Sequence, residues 1–218
     1  EAAHGVRLYL QPGGPGSVVP LRPGVTLPPL RYHLEAGDVT IEFEPTDFIQ
    51  VNSAINGRMI SLALELLAPH AGMRLLDLYC GIGNFTLPLA RQAGSVLGVE
   101  GEAAMVERAR ANAQLNGIAN AGFAVADLST ADGAGSWAGG RFDAVLLDPP
   151  RAGAAAMLAP LAQTAARRIL YVSCHPGTLA RDAGVLVHEH GYRLAAAGIL
   201  DMFPATSHVE SVALFERD

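Results

Sequence analysis

The fold class predicted for this 218-residue chain is a doubly wound α/β sheet of seven mostly parallel strands with an antiparallel last strand. Three observations predict it. From Met73 onward the chain repeats strand, glycine turn and helix. Seven short apolar runs read as strands: RLLDLY, SVLGVE, GFAVAD, FDAVLLD, RILYVS, YRLAAAGIL and VESVALFE. The last two are joined by DMFPATSH, which leaves no room for a crossover helix, so the final strand reverses direction.

The elements follow in order. Residues 1–46 differ from the rest: VRLYL, a Pro/Gly-rich stretch over 11–29, then RYHLEAGDVTIEFEP. In that last segment Val39, Ile41 and Phe43 alternate with polar neighbours after Ala36-Gly37-Asp38, which predicts a β-hairpin. Residues 1–46 are therefore taken as a short β-rich lead-in, the remnant of a preceding domain, and 47–218 as the main domain. The spacing of Ile55, Met59, Leu62, Ala63 and Leu66 predicts a helix over 52–67, stopped by Pro69. Further helices are predicted over 102–116 and 177–190, between strands.

Composition narrows the function classes. Half the residues are apolar and 17% are charged, as in one globular α/β domain with an appended piece. No apolar run of about 18 residues is free of charges and breakers, and EAAHGVRLYL lacks the pattern of a signal peptide. A soluble cytoplasmic protein without a membrane segment is the expectation. The two cysteines, Cys80 and Cys174, form no metal-type cluster, so reduced thiols and no metal or disulfide are expected. The net charge is −6, and all 15 basic residues are arginine, a compositional bias. A self-sufficient nucleic-acid binder shows a basic field, so an RNA substrate would draw part of its attraction from elsewhere. The first residue is Glu1, not methionine, which suggests a portion of something longer.

DLYCGIGNF, residues 77–85, follows the first sheet strand and opens a helix. Gly81 and Gly83 permit a tight turn and close approach of a ligand to the backbone, beside the free N–H groups of a helix N-terminus. A dinucleotide fingerprint needs a third glycine where this chain has Thr86, and Asp77 precedes the turn within the strand. The pattern resembles instead the first motif of S-adenosylmethionine-dependent methyltransferases. Glu100, ending the second strand, suits both ribose hydroxyls. Asp127, ending the third, suits the adenine side or caps a turn. Tyr79 either packs against adenine or fills core.

The fourth strand ends in LLDPPRAG, residues 146–153. Asp/Asn-Pro-Pro-aromatic at this place marks methyltransferases of exocyclic amino groups, but Arg151 replaces the stacking aromatic. Arg151 suits a phosphate or a developing oxyanion, or equally an ion pair with Asp148. The fifth strand stops at Cys174 in ILYVSCHP, where a soft nucleophile meets the crevice beyond the strand ends.

With Asp148, Cys174 and LDMFPATSHVES, residues 200–211, the chain resembles the catalytic portion of the RNA uracil-5-methyltransferases. The lead-in DFIQVN, residues 47–52, matches too, and the overall pattern is most similar to the bacterial 23S ribosomal RNA branch. The resemblance covers about residues 40–218. It implies a Rossmann-like S-adenosylmethionine-dependent methyltransferase fold over 47–218, with Gln50, Tyr79, Gly81, Gly83, Asn84, Glu100, Asp127 and Asp148 on the cofactor side. It implies Cys174 as nucleophile and Glu210 as base, with Arg151 and His208 toward substrate and no metal in this chain. The substrate implied is structured RNA, rRNA rather than tRNA, with no membrane and no obligate protein partner.

The chemistry agrees with that carry-over. Carbon 5 of uracil is a weak nucleophile, and a thiolate adding at carbon 6 makes an enolate that attacks an electrophilic methyl. Carbon 5 then carries a methyl and a proton, so a base must act before the cysteine leaves. A donor at the enolate oxygen stabilises its charge, for which Gln50 and Arg151 are the candidates. Gln50 could otherwise be a polar helix initiator. His208 either orients Glu210, contacts substrate or is structural. Cys80, within the cofactor turn, reads as a small buried hydrophobe.

Two residues depart from the family pattern: His175 stands where asparagine usually follows the cysteine, and Ala205 where a larger polar residue or histidine usually sits. His175 is a candidate to aid thiolate formation. The RNA-binding β-barrel and four-cysteine iron–sulfur site often found upstream in relatives do not fit in this chain. Two alternatives remain from other classes: an amino-nitrogen methyltransferase working through DPPR, and a non-catalytic cofactor-binding RNA module.

Overall fold

Seven strands form one sheet, its central strands almost fully buried, and this sheet positions everything else. The computed structural model describes residues 6–22, 24 and 28–218; residues 1–5, 23 and 25–27 of the lead-in lie outside the described residues. The elements are β1 (Tyr9–Leu10), β2 (Val19–Pro20), β3 (Leu30–Leu34), β4 (Val39–Phe43), α1 (Ser53–Leu67), β5 (Arg74–Leu78), α2 (Thr86–Ala90), β6 (Ser95–Glu100), α3 (Ala103–Leu115) and β7 (Ala121–Val125). There follow β8 (Ala144–Leu147), α4 (Ala155–Ala162), β9 (Arg168–Ser173), α5 (Pro176–His188), β10 (Arg193–Leu200) and β11 (Glu210–Glu216).

The main sheet has the order β10-β11-β9-β8-β5-β6-β7. Its strands β5 to β9 pair in parallel, and β11 lies antiparallel to both β9 and β10. All seven predicted strands are present, and the reversed last strand is borne out. The central strands are buried on both faces, which is why they read as unbroken apolar runs rather than as alternating ones. Alternate residues still serve different layers. Leu75, Leu146, Leu170 and Leu214 pack toward α1, α2 and α3, while Leu76, Val145, Ile169 and Phe215 pack with residues of α4 and α5 and with Trp137.

β10 is the sheet's edge and is exposed along nearly its whole length. Its small residues and the register shift between Leu194 and Ala196 leave it short of partners on one side and locally twisted, as edge strands commonly are.

The hairpin β3–β4 forms as the alternation predicts, with Leu34 opposite Val39 and with Val39 and Ile41 fully buried. It is not part of the main sheet. Two asparagines, Asn112 of α3 and Asn116 just after it, hold it instead. Asn116 accepts from Thr40 N–H at 2.8 Å and donates to Thr40 O at 2.7 Å. Asn112 accepts from Glu42 N–H at 2.9 Å and donates to Glu42 O at 3.1 Å, so each amide imitates a neighbouring strand. The hairpin's buried residues share the core of α1 and α3.

Helix ends follow from local chemistry. Asn52 caps α1 by accepting from Ile55 N–H, and Ala68 closes it in a left-handed conformation just before Pro69. Pro176 takes the first position of α5, where a missing N–H costs nothing. Among the described residues no helix is long and apolar enough to cross a membrane.

Candidate active site

A cavity of about 560 Å³ opens beyond the carboxyl ends of the parallel strands, beside the point where the chain order reverses between β5 and β8. Its lining comes from five places in the sheet: Tyr79 and Gly81 after β5, Glu100 ending β6, residues 148–151 after β8, Cys174 after β9 and Glu210 opening β11. Phe48 and Gln50 before α1, Met105 of α3, and Phe203 and His208 between β10 and β11 complete it.

The reversal of β11 brings Cys174 and Glu210 together. Ser211 pairs with Ser173, and carrying that antiparallel register one residue further sets Glu210 opposite Cys174. A strand running the other way would place its first residue at the far end of the sheet.

On the cofactor side the turn after β5 is tightly determined. Tyr79 N–H and Cys80 N–H both donate to Val99 O, at 2.9 and 3.1 Å, and Tyr79 takes a φ of +64°. A non-glycine residue in that region is strained by about 1 kcal/mol or more, and the Tyr79 hydroxyl, donating to Leu128 O at 3.1 Å, helps to hold it. Gly81 has a φ of +53° and open space where a side chain would project, so a ligand can approach its backbone. Glu100 accepts from Gly81 N–H at 3.1 Å through Oε2, and from Gly101 and Glu102 N–H at 2.7 and 3.1 Å through Oε1. Its carboxylate is thus preset at the cavity wall and fixes the backbone just before α3.

Several predicted site residues have other work. Asn84 accepts from the Tyr32 hydroxyl at 3.0 Å and pairs with Asn56 through both amides at 3.0 Å, tying the turn to the hairpin and α1. Gly83, at φ +97°, packs against Leu87 rather than lining the cavity. Asp127 is exposed and accepts from Ser129 N–H and Oγ at 2.9 and 2.6 Å; this turn cap holds its carboxyl below the usual range. Gln50 lines the cavity, and the helix-initiating role belongs to Asn52.

Arg151 does not pair with Asp148; its Nη1 lies 3.1 Å from His208 Nδ1. A guanidinium only donates, so Nδ1 is the acceptor and a neutral His208 carries its proton on Nε2. The His208 ring also stands edge-on to Phe203, with centroids 5.7 Å apart.

His175 answers the question its position raised. Its Nδ1 accepts from Thr178 N–H at 3.2 Å, so the ring caps α5 as asparagine does at such positions. Ser173 Oγ accepts from His175 N–H at 3.1 Å, and Thr178 Oγ1 lies 3.0 Å from His175 O and 3.2 Å from Arg151 O. These bonds fix the backbone on both sides of Cys174 and join it to the loop after β8. Ala205 sits in the loop after β10 with a φ of +65°.

Electrostatics distinguish the two cysteines and the carboxylates. Cys80 is buried, and burial with Asp77 and Glu100 nearby pushes its thiol well above the ordinary value. Cys174 is half-buried; burial, Glu210 and Asp148 push its thiol up while Arg151 pulls it down. Glu210 is 3% exposed, and burial raises its carboxyl from 4.5 to about 7. Burial, then Glu210 and Asp77, push Asp148 well above the carboxylate range. Asp77 is fully buried and raised to about 7 by burial, against the lowering effect of Thr86, whose hydroxyl donates to Oδ2 at 2.5 Å; Oδ1 has no hydrogen-bond partner.

Sequence reasoning did not single out Phe48, Met105 or Phe203. Phe48 is 68% exposed at the cavity mouth, two residues before Gln50, and a phenyl ring left in water beside a cavity is a stacking surface. The signal available was its place in DFIQVN.

The geometry can now be set beside known proteins. A family model described as tRNA (Uracil-5-)-methyltransferase matches residues 31–134 and 136–218. The chain belongs to that family. Among curated members, the 23S rRNA (uracil(1939)-C(5))-methyltransferase RlmD of Methylococcus capsulatus is 55% identical over 213 residues, covering 98% of this chain and 48% of that protein. The enzyme of the same name from Stenotrophomonas maltophilia strain R551-3 is 54% identical over 215 residues, again covering 98% and 48%. The chain therefore spans about half the length of the curated relatives it matches. A solved tRNA (uracil-54, C5)-methyltransferase of Pyrococcus abyssi, in complex with S-adenosyl-L-homocysteine, superposes with a TM-score of 0.73 at 35% identity, covering 85% of this chain and 44% of that one. The uracil-5-methyltransferase resemblance, read from Asp148, Cys174 and the 200–211 segment, and the ribosomal branch, read from the overall pattern, are borne out. So is the methyltransferase fold.

Proposed function

We propose that this chain carries the site that methylates carbon 5 of a uridine in structured RNA, with S-adenosylmethionine as donor and 23S rRNA as the favoured substrate. The observation that carries the reading is the pairing of Cys174 with Glu210 across the β9–β11 register at the rim of one cavity.

The residues suit the cofactor. Glu100 is preset by three backbone N–H groups to accept from ribose hydroxyls, Gly81 leaves its backbone open, and the carboxylates around the cavity favour a cationic ligand. Bound S-adenosylmethionine supplies an electrophilic methyl group on a sulfonium. Tyr79 and Met105 line the wall toward Glu100 and suit the flat adenine.

The chain's own steps follow from placement. A uridine splayed from its stack meets the exposed face of Phe48 and the Gln50 amide at the mouth. Arg151, beside Cys174, favours the thiolate, which bonds to carbon 6 and pushes electrons toward carbon 5 and the carbonyl oxygen. Gln50 and Arg151 are the donors in reach of that oxygen's charge. Once carbon 5 is methylated, Glu210 takes its proton, the double bond re-forms, and the thiolate leaves with the electrons of the carbon–sulfur bond. An arginine in place of a stacking aromatic after Asp148-Pro149-Pro150 speaks against the amino-nitrogen reading. A ribosomal RNA substrate further implies work in the bacterial cytoplasm.

The test is an adduct. With RNA containing 5-fluorouridine and S-adenosylmethionine, carbon 5 carries no removable proton, so protein and RNA stay joined in a band stable to denaturant. The Cys174→Ala variant gives no such band. A band that survives this substitution, or methylated adenine or guanine as the product, refutes the reading.

A further inference from the structure

Glu210 presents an unusual electrostatic arrangement. It is 3% exposed, lines the cavity, and among the described residues its side chain has no hydrogen-bond or ion-pair partner. A buried carboxylate without donors is costly to ionise. The charges around it do not relieve that cost. Asp148, after β8, is close enough for Glu210 to push its carboxyl up, and Glu100, ending β6, lines the same cavity. Cys174 faces it from β9. The single guanidinium at the cavity, Arg151, has its Nη1 against His208, and His208 stands on the loop leading into β11. Three carboxyl groups, Glu100, Asp148 and Glu210, line the cavity against one guanidinium, which leaves it short of positive charge.

Resting on the function proposed above, we propose that the charge of the ligand in this cavity sets the proton affinity of Glu210: a sulfonium holds the carboxylate ionised, and a neutral thioether lets it bind a proton. Methyl donation converts the first ligand into the second. Glu210 therefore gains affinity for a proton at the stage when the carbon 5 proton must be removed, and is restrained before it. The proton passes from carbon 5 to the carboxylate, its bonding pair restores the carbon 5–carbon 6 double bond, and the carbon 6–sulfur pair departs on Cys174.

Proton exchange on binding tests this without measuring turnover. Calorimetric titration of the purified protein in buffers of different ionisation enthalpy counts the protons released. At pH 7 a group that titrates near 7 is about half protonated, so S-adenosylmethionine should release up to about half a proton per site from it. The ammonium analogue sinefungin should do the same, and S-adenosylhomocysteine should release close to none. The difference should shrink above pH 8.5, where Glu210 is already ionised. In Glu210→Gln the release should fall by about half a proton while all three ligands still bind. Equal proton release for the sulfonium and the thioether, or full release in Glu210→Gln, overturns the coupling; in the second case the proton belongs to Asp148. Failure of all three ligands to bind refutes the cofactor assignment itself, so the two ideas fail separately.

Discussion

Replacing Glu210 by glutamine should make the protein more stable at pH 8 while disabling its last step. The folded carboxyl is raised from 4.5 to about 7 by burial. At about 1.4 kcal/mol per pH unit, that is roughly 3 kcal/mol of folding free energy spent on ionising it. Glu210 is 3% exposed but faces a cavity that water enters, so screening trims the figure to about 2 kcal/mol. The sign differs from that of a salt-bridged carboxylate. Because the folded value lies above the unfolded one, the cost is absent below pH 4.5, grows as pH rises toward 7, and stays constant above it. Glutamine keeps the shape without the charge. Urea unfolding of Glu210→Gln and the parent, from pH 5 to 8.5, should give a variant about 2 kcal/mol more stable at pH 8, with the gap closing toward pH 5. Asp77, also raised to about 7, is common to both proteins and cancels in the difference. A variant no more stable at pH 8, or a gap independent of pH, refutes the claim that burial controls this group.

Three further substitutions, at two positions, probe the frame around the site. His175→Ala removes the acceptor for Thr178 N–H and should cost about 1 kcal/mol by urea unfolding, whereas His175→Asn should retain both the cap and the 5-fluorouridine adduct rate. If histidine instead activates the thiol, asparagine will slow adduct formation as much as alanine. Asn112→Ala strips its bonds to Glu42 N–H, Glu42 O and Ile82 O from a residue that is 1% exposed, and should cost about 2–3 kcal/mol. Hydrogen exchange should show lost protection at the Glu42 amide, with β8 and β9 unaffected.

The strands were legible because strands covered on both faces must be continuously apolar, and glycine turns punctuate them. Boundaries drifted by one or two residues: GFAVAD gave 122–127 for a strand that spans Ala121–Val125, FDAVLLD gave 142–148 for Ala144–Leu147, and the helix expected over 177–190 runs Pro176–His188. The site's outline was legible through motif order, since Asp148, Cys174 and Glu210 each lie at or next to the end of a predicted strand. What escaped were side chains whose partners lie far away in sequence. Asn84 carries no local sign that Tyr32 and Asn56 will claim it, and Asn112 none that it will act as a neighbouring strand for β4. His175 was a different matter: proline immediately after it and threonine three residues on are a helix-start signal, outweighed in the sequence reading by the neighbouring thiol. The most informative inference was topological. Once β11 is antiparallel, its first residue lies at the carboxyl edge of the sheet beside the residue that follows β9. Had the strand run parallel, Glu210 would sit at the opposite end of the six-residue β9, about 20 Å away, well beyond the reach of a proton on a base bonded to Cys174. Cys174 and Glu210 are 36 residues apart in the chain, and a short loop in place of a crossover helix makes them neighbours.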